Sequence, residues 1–401
     1  MKLKNIIALL LGIVASTFFS SCSCTHDGEA GELDVPMDSV FGAIFDARGK
    51  APGAIVMLSR GDSLIYSRTF GYADLARSVP VTDSTMFNIV TLTQQFTAAG
   101  VMRLAEEGLL SIEDSLPKFI PTFTRPCMNK VRLRHILSHS SGIPDNRPRT
   151  EQEWQSYIAH ANGSKFGRLN DYMLFSRSDE TRYSIREVDT LSFEPGSQYH
   201  FSCPPYEMMS YVIPVASGIN FEPWMHSNIF DRAGMKHVIY FHQEAYVSNA
   251  SHGYRPARSD ASGVRKYGTG GAWEEYDYGE APFFPSWPDG GMYTTGPDMM
   301  KWLTAFENDS IISAQSRLAC WTPYVRGDKE NVSVGFGVYI QLTPGMARKI
   351  FAGGVNGGYS AYAASFPDRR VRYLILSNRP DWDRDKAAQA VDSILAARRW
   401  I

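Results

Sequence analysis

β-Prone, turn-punctuated segments stand at the two ends of this chain, and helical patterns fill its middle. Near the beginning, APGAIVMLSRGDSLIYSRTFGYAD carries the runs Ile55 to Leu58 and Leu64 to Tyr66 around Gly61-Asp62-Ser63, which reads as a hairpin. Far downstream, VSVGFGVYIQL, KIFAGGVNGGYSAYAASF and VRYLILSN alternate and are punctuated by Pro367-Asp368. Between them a helix opens near Thr91, carries Phe96, Ala99 and Leu104 at helical spacing, and meets Gly108 as a C-terminal cap. From about Thr150 to Gly270 the pattern is helical and loop-rich, and the amphipathic DKAAQAVDSILAARRW closes the chain. Strands from both ends and helices from the middle predict one antiparallel sheet covered by helices, with a mainly helical region inserted beside it.

The first residues read as a leader rather than as fold. Lys2 and Lys4 precede the apolar run IIALLLGIVA and then small residues, the order of a secretory signal over residues 1–21. The run is too short and too near the terminus for a membrane span. Phe19-Ser20-Ser21-Cys22 resembles a bacterial lipobox, which makes Cys22 the expected lipidation site and Cys24 a weaker second candidate. The following THDGEAGELDVP has few apolar residues, so residues 22–36 are expected to form a flexible tether. The expected partner is a membrane, reached through a lipid anchor in an exported bacterial envelope, with either face open.

Residues 37–401 then read as one domain, its sheet region at about 37–90 and 290–401 and its helical region at about 91–289. With 44% hydrophobic and 12% aromatic residues, it can bury a sizeable core. A formal net charge of -2 gives no basic field for nucleic acid. Cys127, Cys203 and Cys320 are far apart and lack metal-ligand spacing, so neither metal nor cofactor is implied, although export would allow two of them to pair.

Several segments, in order, resemble the serine β-lactamase-like family, which includes class C β-lactamases, D-alanyl-D-alanine carboxypeptidases and related esterases. They are PGAIVMLSRGDSLIYSRTFGYAD, FNIVTLTQQFTAAGVMRLAEEGLLSIEDSLPKFIP, VRLRHILSHSSGIPD, FEPGSQYHFSCPPYEMM, PDGGMYTTGPDMMKWL, GFGVYI and GGVNGGYSAYAASFPDRR. Together they span most of residues 52–378. The resemblance implies an α/β (α+β) fold of the β-lactamase/transpeptidase type: an antiparallel five-stranded sheet flanked by helices, a mainly helical subdomain, and a site between them.

The chemistry of that family uses three motifs. S-x-x-K supplies a serine nucleophile and a lysine one turn later; Y-x-N supplies a base and an orienting amide; K-T-G or H-x-G lies on a strand beside the oxyanion site. Matched residue by residue, none is intact here. Thr91 stands for the serine, and Gln94, an amide that cannot accept the hydroxyl proton, stands for the lysine. Phe201-Ser202-Cys203 replaces the second motif, with Phe201 lacking the phenol oxygen and Cys203 replacing the amide. Anchored on Gly358-Tyr359, the third falls on Ala352-Gly353-Gly354. Lys349 is the nearest base, but three residues along a strand from Ala352 it is expected on the other side of the sheet. A positioned acid or base is worth roughly 10²–10⁴ in rate, so turnover is expected to be very low.

The sequence therefore predicts an envelope protein without catalysis that binds a cell-wall peptide, a glycan or a partner protein in the vestigial cleft. The competing expectation is a divergent esterase or peptidase using Thr91 or Cys203, the latter with His200 or His139 as base. His139, in LSHSSGIPD, reads as a histidine packed near a turn. For a ligand rim, GAWEEYDYGEAPFFPSWPDGG offers Trp273, Tyr276, Asp277 and Tyr278, since rings supply area and carboxylates direction.

Overall fold

The two ends of the chain meet in one sheet. In the computed structural model, which describes residues 29–45, 49–144, 185–186, 188–240, 249–259, 265–276 and 287–401, strand β1 (Ala54–Arg60) turns at Gly61-Asp62 into β2 (Ser63–Phe70). Gly61 has φ +60, a conformation that glycine adopts without steric cost. On its other edge β1 pairs antiparallel with β8 (Val371–Ser377), in register from Ala54–Ser377 to Arg60–Val371. Beyond β8 lie β7 (Tyr359–Phe366) and β6 (Lys349–Asn356).

Five strands were expected, and the sheet has eight. Three short strands extend it past β6: β5 (Tyr339–Gln341), β4 (Val332–Val334) and β3 (Val325–Arg326), so that the order is β3-β4-β5-β6-β7-β8-β1-β2. Two of them, β4 and β5, come from the alternating VSVGFGVYIQL. Gly337, at φ +67, and a Gly335 N–H to Val338 carbonyl bond of 2.9 Å fold that segment into two short pieces instead of one long strand.

Both faces of the sheet are covered, as the strand period of two requires. Ile55, Met57, Leu374 and Leu376 point to one core with helices α2 (Thr93–Glu106) and α3 (Gly296–Glu307). Ala54, Val56, Tyr373 and Ile375 point to the other, under helices α1 (Glu29–Phe45) and α4 (Arg384–Ala397).

Helix α1 corrects the expectation of a tether through residue 36. Leu33, Met37, Phe41 and Phe45 recur every four residues and are all buried, the single stripe of a helix laid on a core. Pro36 lies inside this helix and cannot donate to the Glu32 carbonyl. That carbonyl accepts instead from Arg398 Nη2 at 2.6 Å. The helix is thus tied at its proline to the far end of the chain. Cys22 and the leader lie outside the described residues.

Candidate functional site

The helix that carries the nucleophile position starts from a strained residue. Val90, a β-branched residue, sits at φ +47 in the left-handed region, which sterics disfavour. Two bonds hold it there: its N–H donates to Asn88 Oδ1 at 2.7 Å, and its carbonyl accepts from Thr93 Oγ1 at 2.7 Å. This turn, the 3₁₀ segment Val90–Leu92, aims Thr91 across the gap toward β6.

Thr91 Oγ1 donates to the Gly353 carbonyl at 3.2 Å. A carbonyl holds that hydrogen but does not remove it, so the hydroxyl has no base there. Gly354 lies against the same side chain: a β-carbon on it would fall 2.1 Å from Thr91 Oγ1. Thr91 fits only because residue 354 has no side chain.

Gln94, one turn on from Thr91 and at the start of α2, is buried and has both ends of its amide engaged. Nε2 donates to Asp289 Oδ1 at 2.8 Å, and Oε1 meets His139 Nε2 at 2.9 Å. With the amide NH₂ turned to the carboxylate, His139 Nε2 must be the donor. His139 Nδ1 then carries the lone pair and faces the Ser202 backbone, with the N–H at 3.4 Å and the carbonyl at 3.2 Å.

Burial pushes the His139 pKa down to about 3, so the ring is neutral at physiological pH. It is packed between Phe201 and Tyr206, with ring centroids at 4.6 and 5.0 Å. A neutral imidazole whose Nε2 already donates to an amide offers no base to Thr91.

Thr91, Gln94, His139, Phe201, Ala352 and Gly353 close around a cavity of about 10 Å³, with Val334, Gly337, Val338 and Tyr339 completing its walls. That is room for roughly one water molecule. The positions matched to the three motifs thus converge on one point. Cys203 stands aside: it is half-buried, precedes the helix Pro204–Glu207 and does not line the cavity. Among the described residues Cys127, Cys203 and Cys320 are not in disulfides. Lys349 lies on the opposite face of β6, where its ammonium donates to Asp392 Oδ2 at 2.6 Å and Tyr373 OH at 2.9 Å.

The expected aromatic rim is corrected at Trp273. That residue belongs to a strand, Trp273–Glu275, and is buried with Ala51, Leu75 and Tyr254 under the Arg379 guanidinium, 4.5 Å from its ring. Its neighbour Glu274 is fully buried and ion-paired to Arg255, while Glu275 pairs with His252. These acids are therefore committed to internal partners and do not direct a ligand. Tyr276 stays half-buried under Arg255, 3.8 Å from its ring. Asp277 and Tyr278 lie outside the described residues.

Sequence reasoning missed the partnership of His139 and Asp289 with Gln94. A signal was present: a buried amide needs one acceptor and one donor, and LSHSSGIPD and PDGG each sit in a segment matching the family.

A family model described as Beta-lactamase matches residues 41–397. The chain belongs to the beta-lactamase family. Within this family it is 25% identical to Penicillin-binding protein 4* of Bacillus subtilis (strain 168), over 81% of this chain and 68% of that protein. Its fold resembles the octameric penicillin-binding protein homologue from Pyrococcus abyssi, with TM-score 0.72, 23% identity, and 92% of this chain and 78% of that one covered. A class C beta-lactamase superposes with TM-score 0.69 at 15% identity, covering 93% and 98% of the two chains. The β-lactamase/transpeptidase-like fold is thereby established, with penicillin-binding and hydrolase proteins among its relatives. Against that family's pattern, Thr91 and Gln94 form a site in which each hydrogen-bonding group already has a protein partner.

Proposed function

We propose that this chain is a non-catalytic member of the beta-lactamase family, exported and held to a membrane by a lipid on Cys22, which binds a cell-wall fragment near the cleft between its helical and sheet regions. One observation carries the loss of catalysis: Gln94, at the lysine position, is saturated by Asp289 and His139. A serine-hydrolase step needs a group that takes the hydroxyl proton as the carbonyl is attacked. The amide cannot do so, Phe201 has no hydroxyl, and the neutral imidazole points its proton at the amide. The cavity beside Thr91 offers about 10 Å³ of space.

The test is covalent labelling. Folded protein is incubated with a fluorescent β-lactam and a fluorophosphonate, then weighed intact. Unchanged mass is expected. An adduct mapped to Thr91 or Cys203 would make the chain a divergent hydrolase and overturn the reading. The anchor is tested separately: wild-type chain should partition with membranes and Cys22→Ser should not.

A further inference from the structure

A second cavity begins where the first one ends. Gly353 and Tyr339 line both, but this one opens on the α4 side of the sheet and has about 200 Å³ of space. Its aromatic wall is a row of rings on neighbouring strands, Tyr339 to Phe351 with centroids 5.3 Å apart and Phe351 to Tyr362 at 5.8 Å. Tyr199 adds a fourth ring from the helical side, its hydroxyl 3.0 Å from that of Tyr339. Gly353 forms part of the floor because it has no side chain; a β-carbon there would sit 2.9 Å from the Tyr362 ring.

The rim is charged. Lys329 and Asp385 neutralise each other across 2.6 Å. Asp328 is exposed. Arg384 is half-buried, and among the described residues no hydrogen bond or ion pair reaches its guanidinium. The cavity therefore combines apolar rings, the exposed Asp328 carboxylate and the Arg384 guanidinium, which Asp385 and Asp383 attract through space but which no hydrogen bond reaches among the described residues.

We propose that this cavity binds a single saccharide ring that carries a carboxylate. The C–H face of a sugar packs on aromatic surface. Its hydroxyls can donate to Asp328, and its carboxylate matches the planar fork of Arg384. A purely apolar ligand fits worse, since it would desolvate both charges without pairing either. The size points to one ring, because drug-sized pockets run to about 300–1,000 Å³. The assignment rests on the non-catalytic reading, which it deepens by moving ligand binding from the small cavity at Thr91 to its larger neighbour.

The experiment is a ligand-observed NMR titration of the full chain with two matched pairs: glucuronic acid against glucose, and N-acetylmuramic acid against N-acetylglucosamine. Each acid is expected to bind at least tenfold more tightly than its neutral partner, and Arg384→Gln is expected to abolish that preference. Equal binding of acid and neutral sugar overturns the carboxylate assignment. No binding of any sugar overturns the proposal while the labelling experiment still decides whether catalysis is lost. Binding that disappears in Thr91→Val but survives in Arg384→Gln places the ligand in the other cavity and overturns this one.

Discussion

His139 Nε2 donates to Gln94 Oε1 across 2.9 Å, and this contact sets the amide orientation and the imidazole tautomer together. Turning the amide would place its oxygen against the Asp289 carboxylate, two acceptors in contact at a buried site. The arrangement is therefore self-consistent only with Gln94 between a donor and an acceptor. Gln94→Leu keeps the volume and strands both partners. Leaving a buried donor or acceptor unsatisfied costs about 1–3 kcal/mol. Urea unfolding of the variant should show a lower midpoint with an unchanged slope; a midpoint equal to wild type would mean that the three residues are not bonded as described.

The same histidine sets an acid limit. Its folded pKa of about 3 lies below the ordinary 6.5 because burial disfavours the charged ring. Above pH 6.5 both folded and unfolded states are neutral, and His139 adds no pH dependence. Between 6.5 and 3 the unfolded chain binds a proton that the folded chain does not, so stability falls as pH falls. The slope from this one group approaches about 1.4 kcal/mol per pH unit in that window. His135, also lowered by burial, to about 4, acts in the same direction but is common to wild type and variant. Stability of wild type and His139→Gln measured from pH 7 to pH 4 should show the shallower loss in the variant. Parallel curves would place a charged or solvated imidazole at position 139.

Much of this was legible in sequence, for reasons that differ from element to element. The β1–β2 hairpin shows itself because turn residues and apolar runs are adjacent. The placement of Lys349 away from Ala352 follows from strand alternation alone, and its bonds to Asp392 and Tyr373 lie on that other face. What sequence hid was partnership at a distance. Helix α1 was masked by Pro36 and nearby acids, although its apolar residues repeat every fourth position; part of its core, Val391 and Leu395 among it, and the Arg398 bond come from the other end of the chain. Trp273 reads as a rim residue because its neighbours are acidic, but those acids have internal partners: Arg255 and Arg258 pair with Glu274, and His252 lies against Glu275.

If α1 is part of the fold, removing one of its buried rings should be costly. Phe41 is fully buried, with its ring 6.3 Å from that of Phe45. Phe41→Ala should destabilise the domain by about 3–5 kcal/mol, the range for large-to-small changes at buried aromatic sites. Val35, on the same helix and 75% exposed, serves as the contrast; Val35→Ala should change stability by less than about 0.5 kcal/mol. Equal, small effects at both positions in denaturant unfolding would show that the segment behaves as the tether its composition suggests.

The last prediction concerns the space between Thr91 and Gly354. A β-carbon at 354 would meet Thr91 Oγ1 at 2.1 Å and Thr91 Cβ at 3.2 Å, with Val90 Cγ2 also at 3.2 Å. Gly354→Ala should therefore destabilise by about 1–3 kcal/mol, as overpacking does in a filled core. Thr91→Gly removes the two nearest atoms and leaves only the Val90 contact, so in that background the same alanine should cost less. The coupling between the two substitutions is expected at about 0.5–3 kcal/mol, as for residues in direct contact. It is read from the four midpoints of a double-mutant cycle. Zero coupling would mean that Thr91 points elsewhere, and the contact of its hydroxyl with Gly353 would fall with it.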